Sequence, residues 1–354
     1  MIKQSSRDIL LLTPGSLLTP SKLKKWKSVS KIIVAVVLPI YVAKYLKTFN
    51  KKPLFIYCST CYPWDTLPAV VLKLITGVSI ICVSHDTPMQ KAGYQFFRKS
   101  EKFGVLKSTI YSIVEKFEEF LLEFVDVPIA VSQYALDFFN PNTVRNRAIL
   151  SSNGIPSVIS ENYIGHEREY NIVYIGRVIE RKNLENMFRA ISLGEFKDKI
   201  SVLIITNSGE DKVRQLVGKF QIPRSVNLVI KYNASEDEKY ALLRKSEISI
   251  NISYDETFSL STMESASQGA ALLLSDRKFF RDIYKDAAIY VDPYNPEEIR
   301  ESIMTLLSDR TLLYKMQTKS IQIARNYLND TIARSDYNKI LRKIKHKLES
   351  TRDC

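Results

Sequence analysis

Glycine and proline are both scarce, 11 and 13 among 354 residues. That scarcity excludes collagen-like and proline/glycine-rich low-complexity chains. Four cysteines in a chain of this length cannot form a disulfide-dense scaffold. Long apolar runs are also missing. The longest uncharged one, Ile32 to Ala43, is broken by Pro39 and falls well short of the ~20 residues of a membrane-spanning helix. At the N-terminus the apolar core is only Ile9 to Leu12, abutted by Arg7 and Asp8, so no signal peptide is expected and a cytoplasmic protein is. What remains is ordinary globular composition, 45% hydrophobic and 25% charged, with length for two domains.

Charge is unevenly placed. The formal net charge is +13, and residues 1–168 carry 21 basic against 12 acidic side chains, a net of +9. Such a half suits anionic lipid, nucleic acid or an acidic small molecule, or simply a solubilising surface. Lys22, Lys24, Lys25, Lys27 and Lys31, with Trp26 among them, precede an apolar face of Ile32, Ile33, Val36 and Val37. A helix over Ser21 to Asn50 could lie on an anionic membrane surface, or pack its apolar face on a sheet. Aromatic and basic residues do not interleave as in single-strand nucleic-acid grooves, and a nucleic-acid partner is disfavoured.

Short apolar runs alternate with longer amphipathic stretches. In the first half, strands are expected at Asp8 to Leu12, Leu54 to Cys58, Val78 to Val83 and Pro128 to Val131, with helices at Asp65 to Thr76 and Leu106 to Phe124. In the second half, strands are expected near Ile172, Ser201, Asn227, Ile248, Ala271 and Ala288, and helix from Glu297 to about Leu348. Continuous apolar strands separated by helices indicate parallel α/β sheets covered on both faces. Two doubly wound Rossmann-like domains follow: residues 1–155, a linker at 156–170, residues 171–330, and a C-terminal helix at 331–354 that could return to the first domain. In such sheets ligands bind at the carboxyl ends of strands, so the interdomain cleft is the expected site.

Two segments carry chemistry. In Tyr254-Asp-Glu-Thr-Phe-Ser-Leu-Ser-Thr-Met-Glu-Ser-Ala-Ser-Gln-Gly269, a strand end is followed by a loop with Glu256 and a helix opening near Ser261, with Glu264 expected in its first turn. Backbone N–H groups around Phe258 to Ser261 suit phosphate oxygens. A carboxylate on the helix suits a ribose diol, and one on the loop suits sugar hydroxyls. Ser261-x-x-Glu264 also fits a capping box. In Ile175-Gly-Arg-Val-Ile-Glu-Arg-Lys-Asn183, Arg177 and Lys182 flank a loop beyond a strand end. Two such cations neutralise a diphosphate and the charge that grows as it leaves. Taken alone, an Arg-x4-Lys pair is more often a solvated basic loop, and exposed cations of this kind are expected to contribute little to folding.

Together, Gly176-Arg177…Lys182 and Glu256-x7-Glu264 with Gly269 resemble the retaining glycosyltransferases of family 4, the GT-B group. His85-Asp86, Asp126-Val-Pro-Ile-Ala-Val-Ser132 and Asn153-Gly154-Ile155 extend the resemblance into the first half. It implies a GT-B fold and transfer of a sugar from a UDP- or GDP-linked donor to a glycan, lipid-linked or protein acceptor, with retained configuration. Arg177 and Lys182 would bind the donor diphosphate, Glu264 the ribose, and Glu256 the transferred sugar, helped by backbone groups of Phe258, Ser259 and Leu260. His85 would face that sugar from the opposite domain. Lys231 and Tyr232 are candidates for the base, and Gly15 for the first domain's phosphate-facing turn. That turn is reduced here to Thr13-Pro14-Gly15-Ser16, a departure from the family. No metal and no cofactor beyond the donor is implied, since the chain has no Asp-x-Asp pair.

The same sequence features fit other functions. A non-catalytic sugar or nucleotide binder could share the fold, and a DNA-modifying glycosyltransferase would suit the positive charge. Cys58-x2-Cys61 with Cys82-x2-His85 has zinc-like spacing. The same cysteines could form a Cys58–Cys61 or Cys58–Cys82 disulfide, or be buried thiols at strand ends.

Overall fold

The computed structural model describes residues 3–4, 10–11, 40, 43–44, 55–85, 105–156, 158–194 and 196–350. The basic segment around Lys22 to Lys31 with Trp26, the apolar face from Ile32 to Val37, the turn with Gly15, and Asp86 lie outside them.

The first domain is a four-stranded parallel sheet in the order β3-β4-β5-β6, from β3 (Phe55–Cys58), β4 (Ser79–Ser84), β5 (Val127–Ala130) and β6 (Ile149–Leu150). Helix α1 (Pro63–Thr76) returns the chain from β3 to β4. It opens with proline in its first turn and stops at Gly77, whose left-handed φ of 71° lets its N–H reach Lys73 O. Helix α2 (Val105–Leu122) leads into β5. Asp126 fixes that entry, accepting from Ile80 N–H at 2.8 Å and pairing with Lys73 at 2.6 Å. The strand expected at Asp8 to Leu12 is not part of this sheet. Its described part, β2 (Leu10–Leu11), pairs antiparallel with β1 (Lys3–Gln4).

The second domain holds a six-stranded parallel sheet in the order β12-β11-β10-β7-β8-β9. Its strands are β7 (Tyr170–Ile175), β8 (Ile200–Thr206), β9 (Val226–Tyr232), β10 (Ser246–Asn251), β11 (Ala271–Ser275) and β12 (Ala288–Val291). The central strands are buried on both faces, which is why they read as continuous apolar runs. The order reverses at β7, which lies between β8 and β10, so the loops after β7 and β10 open side by side at the carboxyl edge. After α3 (Gln133–Asp137) in the first domain come α4 (Leu184–Ser192), α5 (Glu210–Val217), α6 (Glu236–Arg244), α7 (Leu260–Ser267) and α8 (Lys278–Tyr284).

The single helix expected from Glu297 onward is three: α9 (Pro296–Ser308), α10 (Arg310–Arg325) and α11 (Asn329–Ser350). Asp309 makes the first break by capping α10, its carboxylate accepting from Leu312 N–H at 2.9 Å. Helix α11 returns to the first domain, where Lys343 Nζ donates to Arg147 O at 2.7 Å and Ala148 O at 3.1 Å. At the same crossing Ile155 exchanges backbone bonds with Tyr327 and Asn329, each 2.8 Å. Gly154 permits this approach: a Cβ there would lie 3.0 Å from the Asn329 Cα. Among the described residues, no helix is long and apolar enough to cross a membrane.

Candidate active site

The loops at the carboxyl edge of the second sheet and the end of β4 enclose a cleft of about 680 Å³. His85, Arg177, Lys182, Glu256, Phe258, Ser259, Leu260 and Glu264 all line it. Lys231 and Tyr232 do not. Lys231 turns to Glu238 at 2.5 Å, while the next two residues, Asn233 and Ala234, line the cleft in their place. Strand β9 runs on to Tyr232, so the loop starts two residues later than its apolar run suggests.

The wall after β7 is braced on its own strand and tied to the wall after β10. Tyr174 Oη donates to Arg177 O at 3.0 Å, and Tyr254 N–H to Arg181 O at 2.9 Å. Asn183 closes the turn that carries Lys182. Its φ of 55° is left-handed, a conformation asparagine tolerates better than most residues. Its buried amide donates to Ile252 O at 3.0 Å and Pro293 O at 2.8 Å. Asn183→Ala is expected to lower stability by roughly 1–3 kcal/mol, since the buried Ile252 O loses this donor, while Pro293 O keeps Asn186 Nδ2 at 2.8 Å. Asn183→Gly eases φ yet loses the same bonds and should still be destabilised; thermal unfolding of both variants checks this.

Inside the cleft, each glutamate faces a lysine. Lys182 and Glu256 form a close ion pair, their side chains 12% and 8% exposed. Ser253 Oγ lies 3.0 Å from the same Glu256 oxygen and 2.5 Å from Asn251 Oδ1. Asn251 in turn donates to Ser259 Oγ at 2.9 Å and Thr262 Oγ1 at 2.8 Å, so a buried polar network holds the loop against the start of α7. The near-burial of Lys182 corrects the expectation that both cations are exposed, whereas Arg177 is exposed. Glu264 Oε1 accepts from Lys239 Nζ at 2.9 Å, and burial pushes its carboxyl above the ordinary range while Lys239 opposes the shift. Arg177 and Arg181 form no ion pair among the described residues.

Glu264 is in the second turn of α7, not the first, and the N-cap is Ser259, so the capping-box alternative does not apply. Lys239 also lines the cleft, although in sequence Glu236-x-x-Lys239 has the pattern of a surface pair. Thr257 Oγ1 donates to His85 O at 2.5 Å, which brings the first domain onto the loop of Glu256, while the His85 side chain stays exposed. Tyr134 Oη–Asp255 Oδ1 at 3.3 Å and Lys278–Asp137 at 2.9 Å join the domains beside it.

The Cys3His set is not assembled: among the described residues, no three His, Cys, Asp or Glu side chains form a metal-holding group. Cys58, Cys61 and Cys82 are free buried thiols, with Cys61 Sγ and Cys82 Sγ 3.0 Å apart. Hydrogen bonds to Cys58 and Cys61, together with burial, push the Cys82 thiol up.

Residues 159–327, which contain the whole six-stranded sheet, match the family described as Glycosyl transferases group 1. The chain is 26% identical over 195 residues to a poly(glycerol-phosphate) alpha-glucosyltransferase of Bacillus subtilis, a match covering 54% of this chain and 27% of that enzyme. It thus spans little more than a quarter of that curated relative's length. Among solved structures, a sucrose-phosphate synthase from Thermosynechococcus elongatus superposes with a TM-score of 0.70 at 16% identity, covering 96% of this chain and 83% of that one. HepE from Anabaena, in complex with UDP and glucose, gives 0.64 at 14% identity, covering 84% and 80%. The chain therefore has the GT-B fold, two Rossmann-like domains across a cleft, and the likeness to group 1 is confined to residues 159–327.

Proposed function

We propose that the chain is a metal-independent glycosyltransferase that moves a sugar from a nucleotide-sugar donor, UDP- or GDP-linked, to an acceptor hydroxyl with retained configuration. The observation that carries this reading is the charge layout of one cleft. Four cations, Arg177, Arg181, Lys182 and Lys239, line it with two glutamates, Glu256 and Glu264. Arg177, Arg181 and Lys182 suit a diphosphate, and the carboxylates, with Lys239 beside Glu264, suit the hydroxyls on either side of it. A plain sugar binder has no need of those cations.

In the reaction, Arg177 and Lys182 neutralise the charge that develops on the departing diphosphate, a role otherwise taken by a divalent ion. For Lys182 this means leaving Glu256 and turning to the phosphate, which frees Glu256 to hold sugar hydroxyls. Acceptor attack occurs on the face the diphosphate leaves, so no enzyme nucleophile is needed and the departing phosphate oxygen takes the acceptor proton. His85 approaches from the first domain, on the sugar's other side.

The acceptor is a hydroxyl of a glycan, lipid-linked or protein substrate. The positive first half fits one presented at an anionic membrane surface, where peripheral attachment would hold the enzyme. A donor screen tests the core of the proposal. UDP or GDP should raise the melting temperature, and the matching nucleotide sugar should be slowly hydrolysed without acceptor. No shift with UDP, GDP or ADP, together with no hydrolysis, would sink it.

A further inference from the structure

Helix α6 begins like a solvated surface helix. Ser235 caps it, accepting from Glu238 N–H at 3.3 Å, and Glu236, Asp237 and Glu238 fill its first turn. An exposed Glu236–Lys239 pair in that setting would matter little. Lys239 is not exposed, however. Its side chain is 13% exposed against 76% for Glu236, so the ammonium lies beneath Glu236 and reaches inward to Glu264, itself 13% exposed. Both Lys239 and Glu264 line the cleft, beside Asn233, Ala234 and Ser261.

Lys239 is well placed to act on Glu264 and poorly placed to act alone. Its ammonium is 2.9 Å from Glu264 Oε1 and 2.9 and 2.8 Å from the two Glu236 oxygens. Burial disfavours its charge, but the two glutamates outweigh that and raise it above an ordinary amine. A cation already held by two carboxylates has little charge left for a phosphate. The groups facing Glu264 are Lys239, Glu236 and the Tyr240 phenol, all from α6. The other charged residues lining the cleft are Arg177, Arg181 and Lys182 with Glu256, and His85 lines it from the first domain.

We infer that Lys239 is a positioning residue for the nucleoside end of the cleft, pinning the Glu264 carboxylate as an ionised acceptor where a ribose diol arrives. The inference rests on the reading of Glu264 as the ribose acceptor. A protonated carboxyl would accept ribose hydrogen bonds poorly, and a carboxylate free to swing would have to be ordered on binding. The contact between α6 and α7 thus sets how tightly a nucleoside is held.

Two measurements on Lys239→Met, Lys239→Arg and wild type test it. The first is a carbon-13 NMR titration of the Glu264 carboxyl, assigned with Glu264→Gln. Its midpoint should move to higher pH in Lys239→Met and return towards wild type in Lys239→Arg; an unmoved midpoint overturns the inference. The second is affinity for UDP by calorimetry and for uridine by NMR, from mildly acidic to neutral pH. Lys239→Met should bind both about tenfold or more weakly at the acidic end, with the deficit shrinking as pH rises.

Equal affinity at every pH would overturn the inference. So would a loss confined to UDP, which would place Lys239 on the phosphates, or a pH-independent loss with a lowered melting temperature, which would mark a packing role. If wild type binds none of UDP, GDP and ADP, the nucleotide reading of the cleft fails, while the carboxyl titration still decides whether Lys239 controls Glu264.

Discussion

Lys182→Ala is expected to lower turnover on the order of a hundredfold or more, the usual effect of removing one charge-assisted donor from a site where transition-state charge develops. It should also destabilise the fold. Lys182 is the close partner of Glu256, and both side chains are nearly buried. Removing one member of a buried pair leaves the other uncompensated, at a cost of about 3 kcal/mol. Arg177→Ala should show the first effect without the second, because Arg177 forms no ion pair among the described residues and is held through its carbonyl by Tyr174. Thermal unfolding and single-turnover kinetics with saturating donor separate the two losses. The double variant Lys182→Ala/Glu256→Gln should recover stability relative to Lys182→Ala but no activity. Near-normal turnover in either single variant would remove that cation from the diphosphate site.

The spacing of Gly176-Arg177…Lys182 and Glu256-x7-Glu264 made most of the cleft's charged lining legible, because these segments follow the ends of β7 and β10, and parallel strands align such ends along one edge. What stayed hidden was tertiary. Lys239 sits in an acidic helical turn, and only the packing of α6 on α7 turns it inward. Asn233 and Ala234 were displaced by two residues to Lys231 and Tyr232, since an apolar run does not mark where a strand's hydrogen bonds end. The break at Asp309 has no glycine or proline to announce it, and α8, seven residues long, is too short for helical periodicity to emerge. The short strand β2 reads as apolar whichever sheet it joins, so its antiparallel partner in β1 could not be foreseen.

Glu256→Gln and Glu264→Gln should separate the sugar from the nucleotide. Glu264 is on α7 with its carboxylate 2.9 Å from Lys239 and lines the cleft with Asn233 and Ala234, and a neutral amide there offers a ribose diol a weaker acceptor. Glu264→Gln should therefore weaken nucleoside diphosphate binding by about tenfold or more, the equivalent of one charge-assisted hydrogen bond. It also removes the partner that burial makes hard to ionise, so wild-type affinity should fall as pH drops through the raised Glu264 carboxyl while the variant stays flat. Glu256 is on the loop after β10, paired with Lys182, and its neighbour Thr257 donates to His85 O. Glu256→Gln should leave nucleoside diphosphate affinity unchanged or slightly improved, since it releases Lys182 for phosphate, and should lower turnover on the order of a hundredfold. Calorimetry with UDP and GDP, paired with turnover at saturating donor, decides both. Equal nucleotide affinity in wild type and Glu264→Gln would remove the ribose role. Unchanged turnover in Glu256→Gln would leave that carboxylate as no more than the buried counter-ion of Lys182.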